Sequence, residues 1–210
     1  YNDLTLDIRR SLRQAGIEAA TLEARELVCF AAGKDKARLL RDGALYASPE
    51  VEEAAWALAR RRLAGEPVAY LIGEWEFYGL PLDISESVLI PRPDTETLAE
   101  AAIGWLRQQE APRVLDLCAG SGCLGLAIAS QVKDARAVLG ELSDGALRVC
   151  RQNIRRNQLS ARVHAQARHA RGELVAADVL AADLERLLVP LAEQHAAAQH
   201  LTGDSEADAA

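Results

Sequence analysis

The stretch Val114-Leu-Asp-Leu-Cys-Ala-Gly-Ser-Gly-Cys-Leu-Gly-Leu-Ala-Ile-Ala129 decides the fold. Its start is a short apolar run broken by one acid, as in a buried strand, and its end is dense in small apolar residues, as in a buried helix. Between them stand Gly120 and Gly122, which allow a tight turn and let another group approach the backbone where a Cβ would collide. A strand that turns through glycines straight into a helix presents the helix N-terminus at the C-terminal edge of a sheet, where open α/β folds bind ligands. Asp116 stands near the end of that strand. The turn, with Asp116, Cys118, Ala119, Gly120, Ser121 and Gly122, reads as a nucleotide-type cofactor pocket.

The residues on either side extend this pattern. A helix is expected from about Asp94 to Gln109. Strand and helix then alternate: Val114 to Leu117, Cys123 to Gln131, Ala137 to Leu142, Ser143 to Asn157 and Ala161 to Ala165. Such alternation predicts a parallel α/β sheet with right-handed crossovers. Roughly 20 residues beyond the turn, at the end of the next strand, Glu141 is placed where a carboxylate can accept ribose hydroxyls. The same residue also reads as a helix-start carboxylate beside Ser143, the expected N-cap. A dinucleotide site calls for Gly-x-Gly-x-x-Gly; the turn is read here instead as Asp116 to Gly122, acid first, which suits a cationic or amine-bearing ligand better than a diphosphate. S-adenosylmethionine fits that description, its ribose meeting Glu141 and its amino acid portion the turn.

Before this domain the sequence is helical. Leu4, Ile8 and Leu12 share a face ahead of Gly16. Thr21 is the expected cap of a second helix carrying Leu27, Val28 and Ala31 and stopping at Gly33, and a third runs from Asp35 to Gly43. A fourth starts at Ser48 with Pro49 in its first turn, followed by Glu50, Glu52 and Glu53 at the positive end of the dipole. Its end, Arg60-Arg-Arg62, reads as a solvated helix terminus. From Gly65 to about Pro93 the pattern changes to alternation and turns, with a hairpin expected to bend near Gly79-Leu80-Pro81. The expected organisation is a helical module over 1–72, a hairpin linker over 73–93 and an α/β domain over 94–210.

Composition narrows the function further. Half of the 210 residues are hydrophobic, enough for a sizeable core, and no apolar run is long enough to span a bilayer. The first residues do not form a signal peptide, so a cytoplasmic location is expected; the chain does not begin with Met and is read as a fragment. Cys29, Cys118, Cys123 and Cys150 lack the paired spacing of a zinc or dithiol site and are expected to be reduced. Net charge is −7, and eleven bases balance eleven acids before residue 72, so the acid excess lies beyond it. A general phosphate-binding footprint is absent, and direct nucleic-acid binding is not expected.

Three further segments carry a resemblance. Gly65-Glu-Pro-Val-Ala-Tyr-Leu-Ile-Gly73, Glu76-Phe-Tyr-Gly-Leu80 and Val88-Leu-Ile-Pro-Arg-Pro-Asp-Thr-Glu96 resemble the linker signature of the release factor glutamine methyltransferases, the HemK-like family. With Val114 to Gly122 and Glu141 to Asn157, the likeness covers most of the chain from about 60 to 163. It implies a helical bundle that helps engage peptide chain release factors, joined to a Rossmann-like class I methyltransferase domain. The implied reaction transfers a methyl group from S-adenosylmethionine to the side-chain amide of the glutamine in the Gly-Gly-Gln loop, without a metal. By position, Cys118 to Gly122 would form the cofactor loop and Glu141 would bind the ribose. The family often has Gly-Thr where Cys118-Ala119 stands and Asp in place of Glu141, and both departures read as tolerable.

The family holds the acceptor amide with an Asn-Pro-Pro-Tyr motif, and no such motif occurs here. Pro49, Pro67, Pro81, Pro91, Pro93, Pro112 and Pro190 include no adjacent pair, so no catalytic residue is identifiable. The likeness fades after about 163 into a divergent stretch, 164–210, in which Leu180, Leu184, Leu187, Leu188 and Leu191 keep helical spacing. Asp178 is read either as an acid near the adenine or as an exposed helix carboxylate. Frameshift, truncation or divergence would each produce this tail, the first two being the preferred readings. The α/β domain is thus expected to be incomplete and its methyl transfer impaired, with its first strand left as an unpaired edge. A non-catalytic remnant that binds a release factor or the cofactor is the alternative, and a nucleic-acid N-methyltransferase is a further one, disfavoured by charge and linker.

Overall fold

The computed structural model describes residues 1–167. The expectations placed on Asp178, on the leucine-spaced segment beyond it and on the tail lie outside the described residues.

Four helices form the N-terminal module: α1 (Asn2–Gln14), α2 (Ala20–Ala32), α3 (Lys36–Arg41) and α4 (Pro49–Leu63). Leu4, Ile8 and Leu12 are the buried face of α1, as their spacing requires. Helix α2 packs against α1, α3 and α4, and its Leu27 and Val28 are fully buried. It ends on Gly33 in the left-handed conformation. Its start differs from expectation: the cap position is Ala19, without a side-chain hydrogen bond, and Thr21 lies inside the helix. The other two starts follow the rules. Asp35 accepts the amide of Arg38 at 2.7 Å, and Ser48 accepts that of Val51 at 3.4 Å with Pro49 next to it. The arginine run at the end of α4 is tied down rather than merely solvated: Arg61 pairs with Glu66, and Arg62 reaches Glu23 on α2 at 2.7 Å.

Where alternation and turns are expected, a short helix, α5 (Val68–Ile72), leads into the hairpin of β1 (Glu74–Phe77) and β2 (Leu80–Asp83). Val-Ala-Tyr-Leu-Ile has the composition of a strand, but burial decides its conformation. Val68 and Leu71 enter the core of the helical module, while Ala69 enters the core of the α/β domain. The hairpin bends at Tyr78 and Gly79, both at positive φ, so Leu80 and Pro81 belong to β2 instead of the bend.

Helix α6 (Pro93–Leu106) precedes a parallel sheet of β3 (Arg113–Leu117), β4 (Arg136–Glu141) and β5 (Val163–Ala167), in the order β3-β4-β5. Crossovers run through α7 (Cys123–Gln131) and α8 (Asp144–Arg156). The register Leu115↔Val138↔His164 places the C-terminal ends of all three strands along one edge. Central β4 is the most deeply buried, with Ala137 and Leu139 at 1% and 0% exposure. Among the described residues β3 pairs on one side alone, and no helix is long and apolar enough to cross a membrane. Replacing Leu27 with Ala at the centre of the helical module should lower stability by about 2–5 kcal/mol, read from urea unfolding monitored by helical circular dichroism.

Candidate functional site

The five residues between β3 and α7 form a turn whose geometry explains its composition. Cys118, Gly120 and Gly122 all have positive φ, at 60°, 56° and 81°. Two backbone bonds close the loop: Ala119 donates to the carbonyl of Gly140 on β4 at 3.1 Å, and Gly122 donates to the carbonyl of Ala119 at 2.7 Å. A Cβ on Gly122 would stand 2.9 Å from Sγ of Cys150, so this glycine faces inward onto α8. A Cβ on Gly120 would meet nothing within 4 Å, so this one faces open space. A ligand can therefore reach the backbone at Gly120.

Gly125, one turn into α7, was not singled out from the sequence although the signal was present. It completes the spacing Gly120-x-Gly122-x-x-Gly125, of which the stretch Asp116 to Gly122 holds the first two glycines. Its role is close packing of helix on sheet. An added Cβ would overlap Cδ2 of Leu139 on β4. This contact says nothing about which cofactor the turn receives, so the choice between a dinucleotide and another nucleotide ligand rests on the acids.

Those acids act differently. Asp116 points back at α7, where its Oδ2 accepts the amide of Gly125 at 3.1 Å. Burial raises its pKa, the Gly125 amide opposes the rise, and the nearby Glu141 charge adds to it. Glu141 closes the other side. Its Oε2 accepts the amide of Gly120 at 2.8 Å, and its Oε1 accepts those of Leu142 and Ser143 at 2.8 and 2.9 Å. Partial burial pushes its pKa up, but the amides of Ser143, Gly120 and Leu142 together outweigh burial and hold it below the usual glutamate range. The helix-start role and a place beside the glycine turn thus coexist in one side chain. A carboxylate has about four acceptor directions, and three are in use.

The pH dependence follows in opposite senses. The stability that Glu141 contributes is present above its ordinary range and is lost as pH falls through its lowered value. Asp116, with a raised value, favours the fold below its ordinary range, and that contribution is lost as pH rises through the raised value.

The remaining expected residues divide by exposure. Ala119, Ser121 and Gly122 are buried and offer backbone alone, whereas Cys118 is exposed. The thiols beneath are protonated: burial, followed by the charges of Asp116 and Glu141, pushes Cys150 up to about 12, and burial raises Cys123 as well. Leu117 and Leu142, at the ends of β3 and β4, are 53% and 62% exposed. They give the rim of the turn an apolar surface that sequence reasoning did not pick out. A cleft of about 330 Å³ opens elsewhere, on the helical module between Tyr1, Asp7, Leu45 and Trp56, and contains none of these groups.

A parallel sheet with a glycine turn after its first strand and an acid after its second is the arrangement of the Rossmann-like class I methyltransferase domain, here preceded by a helical bundle. Residues 3–73 match the PrmC N-terminal domain and residues 95–181 match the methyltransferase small domain, the latter match running past residue 163. A release factor glutamine methyltransferase of Bordetella pertussis is 46% identical over 70% of this chain and 53% of its own length. One of Bradyrhizobium diazoefficiens is 41% identical over 68% of this chain and 49% of its own. The chain belongs to the release factor glutamine methyltransferase family. It spans about half the length of the curated relatives it matches. Among solved structures, a human methyltransferase 10 domain containing protein superposes with a TM-score of 0.40 at 19% identity, over 47% of this chain and 50% of that one.

At position 118, where the family often has glycine, this chain holds cysteine at φ 60°. A side chain there carries a strain of about 1–2 kcal/mol. Replacing Cys118 with Gly should stabilise the protein by up to about 1 kcal/mol, because the wider freedom of unfolded glycine offsets part of the relief. Replacing Gly125 with Ala should cost about 1–3 kcal/mol through overpacking against Leu139. Denaturant midpoints of the two variants, moving in opposite directions, check both.

Proposed function

We propose that the turn 118–122 and Glu141 bind S-adenosylmethionine, and that the protein, acting in the cytoplasm, methylates the side-chain amide of the Gly-Gly-Gln glutamine in peptide chain release factors. In this reading residues 1–72 dock the release factor, 73–93 form the linker and 94–210 form the methyltransferase domain. The observation that carries it is the meeting of turn and acid: Glu141, 21 residues after Gly120, bonds the amide of Gly120 at the C-terminal edge of the sheet. The relatives' name supplies the substrate class.

The residues fit this cofactor chemically. Gly120 opens its backbone to a ligand, and Glu141 is an ionised acceptor for a ribose diol. Because Glu141 has about one acceptor direction left, taking both hydroxyls would exchange one of its three amide bonds, to Gly120, Leu142 or Ser143. Leu117 and Leu142 offer apolar cover for a flat base, and Asp116 keeps α7 against the sheet. When bound, the cofactor supplies an electrophilic sulfonium methyl group. The protein's task is then to position an amide nitrogen in line with that methyl and to exclude water, which requires no metal. The sequence contains no Asn-Pro-Pro-Tyr to hold that amide, so cofactor binding is expected to exceed methyl transfer.

Calorimetric titration with S-adenosylhomocysteine tests the cofactor site. The 210-residue chain should bind, and Glu141→Ala should weaken binding by roughly tenfold to a hundredfold, the worth of a charge-assisted hydrogen bond. Absence of binding by the unaltered chain would overturn the assignment. Radiolabelled methyl transfer tests the substrate: label in a release factor at any place except the Gly-Gly-Gln glutamine would overturn that part.

A further inference from the structure

Asn153, on α8, is one of two buried polar side chains among the described residues, with 0% exposure, and the other is Ser121 of the turn itself. The two are joined. Asn153 Nδ2 donates to the carbonyl of Ser121 at 2.9 Å and to the carbonyl of Asp83 at 3.0 Å, while its Oδ1 accepts the amide of Asp83 at 2.6 Å. One side chain therefore satisfies both backbone groups of the last residue of β2 and, in addition, the carbonyl between Gly120 and Gly122. This uses both amide hydrogens and the oxygen, a set that Asp, Leu or Ser cannot supply.

The neighbours fix α8 to the same strand. Asn157 Nδ2 donates to the carbonyl of Pro81 at 3.0 Å, and Arg156 pairs with Asp83 Oδ1 at 2.5 Å and with Glu74. The hairpin is thereby seated on α8, and Asn153 carries the connection on to the turn. Glu141 in turn holds the amide of Gly120. The peptide units of the turn are clamped from beneath by an amide side chain and from the rim by a carboxylate.

We infer that Asn153 is a positioning residue for the cofactor turn, coupling the hairpin to it: by fixing the Ser121 carbonyl it sets the direction of the flanking amides, and a ligand that reshapes the turn is felt at Asp83. The coupling to ligand rests on the cofactor reading above, whereas the link between hairpin and turn does not. A purely structural strut would support the hairpin without changing the affinity of the turn or responding to its occupancy.

Amide hydrogen exchange on the full chain, with S-adenosylhomocysteine as the probe, tests this. In the unaltered protein the probe should slow exchange at Asp83 together with Ala119 to Gly122; slowing at the turn with Asp83 unchanged overturns the coupling. Asn153→Asp should weaken probe binding by roughly tenfold at pH 8, where a carboxylate faces two carbonyls. As pH falls and the carboxyl regains one proton to donate, affinity should recover in part, whereas Arg156→Ala should stay within about twofold throughout. Unchanged affinity, or a loss that pH does not restore, overturns the proposal. Should the unaltered chain not bind the probe, the cofactor reading fails by itself. Asn153→Asp must then still speed exchange at Ala119 to Gly122 while sparing Val138 to Gly140, and a uniform or absent change overturns the link.

Discussion

The close approach of α7 to β4 is the constraint from which the rest of the site follows. Leu139 lies at 0% exposure beneath both Gly122 and Gly125, and neither position has room for a Cβ. Because the helix must start that close to the sheet, the chain leaving β3 has to reverse within five residues, and three of them take positive φ. The same tightness strips the turn of side chains facing outward except at Cys118, leaving backbone as its working surface. It also buries Cys150 beneath the turn, where the thiol is held protonated and acts as packing.

A turn whose working surface is backbone needs to be held by its neighbours. Glu141 grips it by the amide of Gly120, and Asn153 grips it by the carbonyl of Ser121. Asp116 fastens the helix behind it through Gly125. The two carboxylates are tuned apart by their surroundings: three amide donors lower Glu141, while burial with one donor raises Asp116. The group at the rim stays charged, and the group behind the turn is the one whose charge is disfavoured.

The helical module is joined to this site through a short element. Helix α5 places Val68 and Leu71 in one core and Ala69 in the other, and the hairpin that follows is bound to α8 by Arg156, Asn153 and Asn157. Tyr70 donates a hydrogen bond to the carbonyl of Val88, and the amide of Tyr78 donates one to the Glu96 carboxylate. The hairpin and Val88 are thus fastened to the elements around them.

Elements governed by strong local rules were legible in the amino-acid order. Ser48-Pro49 began a helix, Gly33 ended one, the four-residue spacing of Leu4, Ile8 and Leu12 made a buried face, and β3, α7, β4 and α8 fell within a residue or so of expectation. The acid at 141 and the glycines at 120 and 122 were legible because chain order alone puts strand ends on one edge of a parallel sheet. The other features depend on contacts between residues distant in the chain. Val68 to Ile72 is helical because two cores claim its opposite faces, against its strand-like composition. Gly125 is required by Leu139, fourteen residues further on, and Asn153 serves Asp83 and Ser121, seventy and thirty-two residues away. Local pattern records propensity and periodicity; it carries no record of which buried carbonyl will lack a partner until the elements pack.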